Sequence, residues 1–265
     1  MNNISNLLRL FVVASILILC SFSLSLADGV LYQYSTIDSL LLGNYDGELT
    51  VDQLKKHGNT GLGTFNKLDG EMVFIDGDVY KVRADGKAVL MPATASTPFA
   101  AAVFFKTDSI LKIDSAKSLK DLNNIISKAL SSENIFYAIR IDGKFKSMRT
   151  RSVPAQKKPY PPLVEVVKEQ SIFKFSQIEG SLIGLKSPGY VKGIGVPGFH
   201  WHFITKDRTA GGHVLDCSFK NITAKVGSYT DFYLQLPQTA NFLEADLLKD
   251  KEKDLKAVEN NPKSD

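Results

Sequence analysis

Three of the chain's four histidines fall in one short stretch, His200 and His202 within Gly198–Thr205 and His213 soon after. Aromatic and β-branched residues surround the first two, so Gly198–Thr205 is predicted to be a strand. Alternate side chains of a strand share a face, which sets His200 and His202 on one side and Trp201 on the other. Lys206–Thr209 is polar and Ala210–Gly212 is turn-permissive, so the chain can fold back as a hairpin. If Thr205 pairs with Ala210, antiparallel counting brings His202 opposite His213, with Cβ atoms roughly 5 Å apart. Three imidazoles then converge from two strands, the donor set of a metal site that keeps a coordination position open for substrate.

The bland alternative is three satisfied core histidines, and the shared face is what argues against it. Cys217 could close such a site as a fourth ligand, since on a regular strand it shares the face of His213. An unpaired cysteine packs as a small hydrophobe, so Cys217 is read as a core residue. His57 lies among Lys55, Lys56, Gly58 and Asn59 and is read as a surface residue.

The surrounding sequence predicts a β-rich scaffold for this hairpin. Val30–Tyr34 reads as a strand leading into a helical turn, and Thr50 as the N-cap of a short helix. Asp76–Gly77 and Asp142–Gly143 each separate alternating apolar runs, which predicts a hairpin at both. Leu119, Leu122, Ile125, Ile126 and Leu130 give Ser115–Ser131 a helical period. A proline-rich break at Val153–Pro162 separates this part from a succession of strands: Phe173–Ile178, Gly180–Lys186, Gly198–Thr205, His213–Ile222 and Tyr229–Leu236. The expected fold class is α/β of the α+β type: two β-rich halves, residues 28–153 and 154–240, with mixed or antiparallel sheets and a few helices. The second half carries the metal site. The tail, residues 241–265, is charged with a sparse apolar spine (Leu243, Leu247, Leu248, Leu255, Val258); it is either solvated or folds back over the body, as a helix or extended.

Residues 1–27 read as a secretory signal peptide: Arg9, an apolar run Leu10–Cys20, then Ser25–Ala27 with cleavage after Ala27. The expectation is a secreted or periplasmic protein with no membrane association after cleavage. Of two cysteines only Cys217 survives that cut, so a hydrophobic core rather than a disulfide must stabilise the fold. Net charge is +4 at pH 7, and Arg9 alone is lost with the leader; so slight and evenly spread a charge points to no nucleic-acid partner and no anionic membrane. Asn221–Thr223 is a glycosylation sequon, which matters only in a eukaryotic secretory route.

Several stretches together resemble the α-acetolactate decarboxylase family: Asp69–Met72 (DGEM), Ser96–Ala100 (STPFA), Pro159–Leu163 (PYPPL), Pro197–Phe203 (PGFHWHF) and Gly211–Asp216 (GGHVLD). The resemblance implies a zinc-dependent homodimer that converts (S)-2-acetolactate to (R)-acetoin and carbon dioxide. It implies His200, His202 and His213 as metal ligands, with zinc acting as a Lewis acid on the substrate hydroxyl and ketone oxygens to stabilise an enediolate. Other divalent transition metals also suit imidazole donors. It further implies catalytic roles for Glu71, which approaches the metal, for Arg151, which pairs with the carboxylate or the developing charge, and for Glu259 from the tail. The proton donor stays open among these three. Without the resemblance, Glu71 reads as a turn-flanking surface residue, and Arg151, close to Arg149, Lys157 and Lys158, reads equally as a solvated base or as a site residue. Trp201 departs from the family, which commonly has leucine between the two histidines. Two rival functions suit the same histidines: a zinc hydratase or hydrolase that activates water, and a non-catalytic β-sheet binding module that merely holds a metal.

Overall fold

The structure, a computed structural model, describes residues 29–259; the leader assigned to residues 1–27 lies outside the described residues. Eight strands come first: β1 (Val30–Tyr34), β2 (Leu49–Thr50), β3 (Thr60–Thr64), β4 (Glu71–Ile75), β5 (Asp78–Val82), β6 (Ala88–Leu90), β7 (Ser96–Thr97) and β8 (Ala100–Val103). Six follow: β9 (Ser109–Ala116), β10 (Phe136–Ser152), β11 (Ser171–Ser187), β12 (Gly198–Thr205), β13 (Gly211–Tyr229) and β14 (Asp231–Gln235). The helices are short: α1 (Ile37–Leu41), α2 (Val51–Leu54), α3 (Leu119–Ala129), α4 (Leu163–Val166), α5 (Ala240–Leu243) and α6 (Glu252–Glu259).

A seven-stranded mixed sheet runs β14-β1-β8-β3-β4-β5-β6, with β1 and β14 parallel. A five-stranded antiparallel sheet runs β10-β11-β12-β13-β9, and an additional pairing of β10 with β13 curls it toward closure. The β-rich class with mixed and antiparallel sheets and few helices is as expected. Each of these two sheets draws strands from both sides of the proline-rich segment, while β2 and β7 form a separate two-stranded sheet before it. β9 and β10 join the histidine-bearing sheet, and β14 returns to lie beside β1.

Strand alternation produces the layers. The facing sides of the sheets meet through Val73, Ile75 and Val82 against Ile183 and Ile204, and through Leu31 and Leu62 against Phe136 and Leu185. Tyr32, Met72 and Phe74 point to the opposite side of the first sheet, under Leu49, Val51 and Leu54. The far side of the second sheet buries Trp201, Phe203 and Cys217 beneath Leu122 and Ile126 of α3. Asp76–Gly77 makes the expected two-residue hairpin, with φ of 55° and 83° and Ile75 opposite Asp78. Thr50 caps α2 in a full capping box with Gln53.

Three local expectations fail. Asp142–Gly143 does not turn the chain: both lie inside the 17-residue β10, opposite Ser181 and Gly180 of the equally long β11. The pairing with β13 slips between Ile141 and Phe145, so a bulge with Asn221 at φ 52° bends the ribbon where a turn was expected. The Ser181 hydroxyl donates to Asp142 Oδ1 at 2.7 Å, holding that carboxylate within the ladder. The Ser115–Ser131 helix begins only at Leu119, capped by Ser118, because Ser115 and Ala116 still pair with Lys220 and Phe219. His57 is not a plain surface residue; its ring stacks on Tyr32 at 3.9 Å, an apolar contact that its polar neighbours conceal.

Candidate active site

The hairpin register is the one that pairing Thr205 with Ala210 requires: the Thr205 amide donates to Ala210 O, and His202 stands opposite His213. Gly211 and Gly212 are not turn residues but open β13, pairing with Ile204 and Phe203. Their value is close approach, since a Cβ on Gly211 would stand 2.1 Å from the Phe203 carbonyl oxygen. His200, His202 and His213 each offer a ring nitrogen, and the three atoms lie within 4.8 Å of one another. Two ring nitrogens, His200 Nε2 and His213 Nδ1, are 3.2 Å apart.

The donor set fits a divalent metal. His202 Nδ1 lies 2.6 Å from the Met72 carbonyl oxygen, which can only accept, so Nδ1 carries the proton. That leaves His202 Nε2 as a lone pair, buried and without a hydrogen-bond partner. Burial, helped by the Arg151 charge, pushes His200 down to about 3, and burial holds His202 and His213 well below the usual imidazole range. Neutral imidazoles with available lone pairs are what metal ligation demands. Cys217 does not complete the set. β13 slips its register against β10 between Arg149 and Thr150, so Cys217 shares the inward face of Val214 rather than that of His213. A β-bulge shifts the alternation, and the regular-strand expectation missed it.

Glu71 and Arg151 are both buried: Glu71 is not the surface residue that its neighbours suggest, and of the two readings open for Arg151 the solvated one fails. Glu71 opens β4 on the face shared with Val73, toward the second sheet; Arg151 on β10 is the cross-strand neighbour of His213. Arg151 Nη1 donates to Glu71 Oε1 at 2.9 Å, and Glu71 Oε2 is 3.5 Å from His202 Nε2. Arg151 Nε is buried with no hydrogen-bond partner, a donor still available at the site. Burial raises the Glu71 carboxyl to about 7 against the lowering pull of Arg151, with Glu259 adding to the rise.

The tail folds back as α6. Leu255 and Val258 pack with Ile37, Leu40, Leu163 and Phe99, while Leu243 and Leu248 stay exposed. This places Glu259 Oε2 3.7 Å from His213 Nε2, and burial raises its carboxyl to about 7. Glu71, Arg151, His200, His213 and Glu259 line one cavity of about 40 Å³, walled on its other side by residues such as Leu40 and Leu163. The sequence did not mark the Met72 carbonyl or this apolar wall, although Leu163 and Phe99 lie in the quoted motifs.

A sequence profile described as alpha-acetolactate decarboxylase matches residues 31–249, which hold the three histidines, Glu71 and Arg151; Glu259 lies beyond the match. The alpha-acetolactate decarboxylase of Methanosarcina mazei is 44% identical over 233 residues, 88% of this chain and 81% of that protein. That of Bacillus subtilis is 43% identical, over 88% of this chain and 91% of its own. A crystal structure of alpha-acetolactate decarboxylase from Bacillus subtilis strain 168 superposes with a TM-score of 0.85 at 43% identity, covering 87% of this chain and 99% of that one.

Proposed function

The chain belongs to the alpha-acetolactate decarboxylase family, and from that premise we propose that it is a carboxy-lyase converting (S)-2-acetolactate to (R)-acetoin and carbon dioxide. The observation that carries the reading is the cavity lined by His200, His213, the Glu71–Arg151 pair and Glu259, with His202 completing the three-histidine group. His200, His202 and His213 would hold zinc, which supplies Lewis acidity toward the adjacent hydroxyl and ketone oxygens of the substrate.

The remaining work falls to the chain's own side chains. In decarboxylation the bond from the hydroxyl-bearing carbon to the carboxylate breaks, and its electron pair passes toward the ketone, leaving an enediolate. Arg151 lines the cavity and its Nε has no hydrogen-bond partner, so its guanidinium can hold the departing carboxylate or the charge left behind. The apolar wall, with Leu40 and Leu163, lowers the local dielectric, which strengthens that attraction. One proton must then reach one face of the enediolate. Glu71 and Glu259, each raised to about 7, both hold a proton part of the time at neutral pH. They reach the cavity from different elements, β4 and α6, so a donor fixed on one side yields one hand of product.

We also propose that the protein is exported and works as a homodimer, from the leader read in the sequence and from the family resemblance. Among the described residues no helix is long and apolar enough to cross a membrane. The test is metal-stripped protein, before and after zinc restoration, incubated with racemic acetolactate and followed by chiral chromatography. Zinc-dependent formation of (R)-acetoin is expected; no acetoin, or a racemic product, refutes the reading.

A further inference from the structure

The cavity at the histidines, about 40 Å³, has room for a few waters and not for a branched hydroxy-keto acid. A much larger groove, about 560 Å³, lies directly beyond it, between residues 189–199 and α6. Gly189, Lys192, Phe199, Leu255 and Lys256 line this groove, and Glu259 lines both spaces. Phe199 stacks on Trp201 and faces away from His200, so the two spaces meet at Glu259, at the last turn of α6 beside the start of β12. Another cavity touching His200 holds only about 20 Å³ among the core residues Leu31, Leu62 and Leu185.

We propose that this groove is the passage by which a small hydroxy-keto carboxylate reaches the histidines, with the last turn of α6 as its door. The inference rests on the metal-site reading given above. α6 buries only Leu255 and Val258, and Lys192 ties its start through Asp250 at 3.0 Å and Glu252 at 2.7 Å. Exposed pairs of this kind hold weakly, so the helix end can move without unfolding the body. Lys192 and Lys256 both pair with Glu252, at 2.7 and 2.6 Å. An arriving carboxylate can therefore take one lysine while Glu252 keeps the other.

Gly189 provides the test. It is exposed, its φ is outside the left-handed region, and an added Cβ would meet nothing within 4 Å, so a side chain can be introduced there without strain. In zinc-loaded protein, Gly189→Trp should lower kcat/KM for acetolactate about tenfold. It should slow the concentration-dependent removal of zinc by pyridine-2,6-dicarboxylate, a small anionic chelator, by a similar factor. Gly189→Ala should match the wild type in both assays, and Lys192→Ala, which loosens α6, should speed zinc removal. Unchanged rates in a folded Gly189→Trp protein overturn the proposal, as does slower turnover with unaltered zinc removal. If the wild type makes no acetoin, the zinc-removal arm still decides the passage, which keeps the failure of the two readings distinct.

Discussion

Trp201 stands between two of the three histidines in sequence yet on the opposite side of the sheet, and replacing it should separate stability from chemistry. Its ring lies over Gly184 of β11, where an added Cβ would come within 2.1 Å of Cζ3. It stacks on Phe199 at 5.6 Å, and Nε1 donates to Asn123 Oδ1 at 2.8 Å. Trp201→Leu gives up about 80 Å² of buried surface, about 2 kcal/mol at the usual coefficient. The lost hydrogen bond adds about 1 kcal/mol. A total near 3 kcal/mol sits at the lower edge of what complete truncation to alanine costs, about 3–5 kcal/mol. Gly184→Ala alone drives a methyl group into the indole and should cost about 1–3 kcal/mol. In the double variant that methyl enters the space the ring vacated, so the two costs should fall short of additivity by about 1 kcal/mol. Trp201 is the sole tryptophan, so urea unfolding of zinc-loaded protein is best followed by circular dichroism rather than fluorescence. Zinc content and acetoin formation should match the wild type below the transition. A Trp201→Leu protein that unfolds at the wild-type midpoint but has lost its metal would refute the assignment of faces, and strict additivity would refute the packing argument.

His202→Ala should abolish zinc binding and acetoin formation while leaving a folded protein; full retained activity would place the site elsewhere. Arg151→Ala should spare zinc content and cut turnover; with the guanidinium gone nothing opposes the rise that burial imposes on Glu71, so its carboxyl should be protonated at neutral pH. Loss of zinc in that variant would mean that Arg151 shapes the ligands rather than meeting the substrate. The metal-free protein has an acid-sensitive component from His200, whose value falls from 6.5 to about 3 on folding. The unfolded chain takes up this proton and the folded chain refuses it, so the contribution is complete above pH 6.5 and is lost as pH falls toward 3. Against a His200→Ala reference, the stability difference should shrink by about 1.4 kcal/mol per pH unit within that window, read from urea midpoints. A difference that does not vary with pH would contradict a buried neutral imidazole.

The parts of this molecule legible in the sequence are those that local chemistry determines. The Asp76–Gly77 hairpin, the Thr50 cap and the register that opposes His202 to His213 each follow from residues a few positions apart. Asp142–Gly143 carries the same turn signal as Asp76–Gly77 and yet lies in a continuous strand. What overrides it is tertiary: β11 pairs along nearly the whole of β10, and the irregularity goes into a bulge at Asn221 of β13. A comparable slip near Leu215 moved Cys217 to the other face, a change that counting in twos cannot anticipate.

The same division runs through the site. Its three histidines come from one hairpin, which is why their spacing alone argued for convergence. Glu71, Arg151 and Glu259 come from β4, β10 and α6, and nothing in their own neighbourhoods marks them as buried. Their meeting depends on how the two sheets face each other and on Leu255 and Val258 drawing a charged tail back over the apolar wall. Such burial is expensive for carboxylates, and the structure offsets it with Arg151 and with carboxyl groups that take up protons near neutrality. An ion pair kept there at that cost, rather than replaced by leucines like those across the cavity, is most economically explained by a reaction that needs a fixed cation and a nearby proton in a dry space.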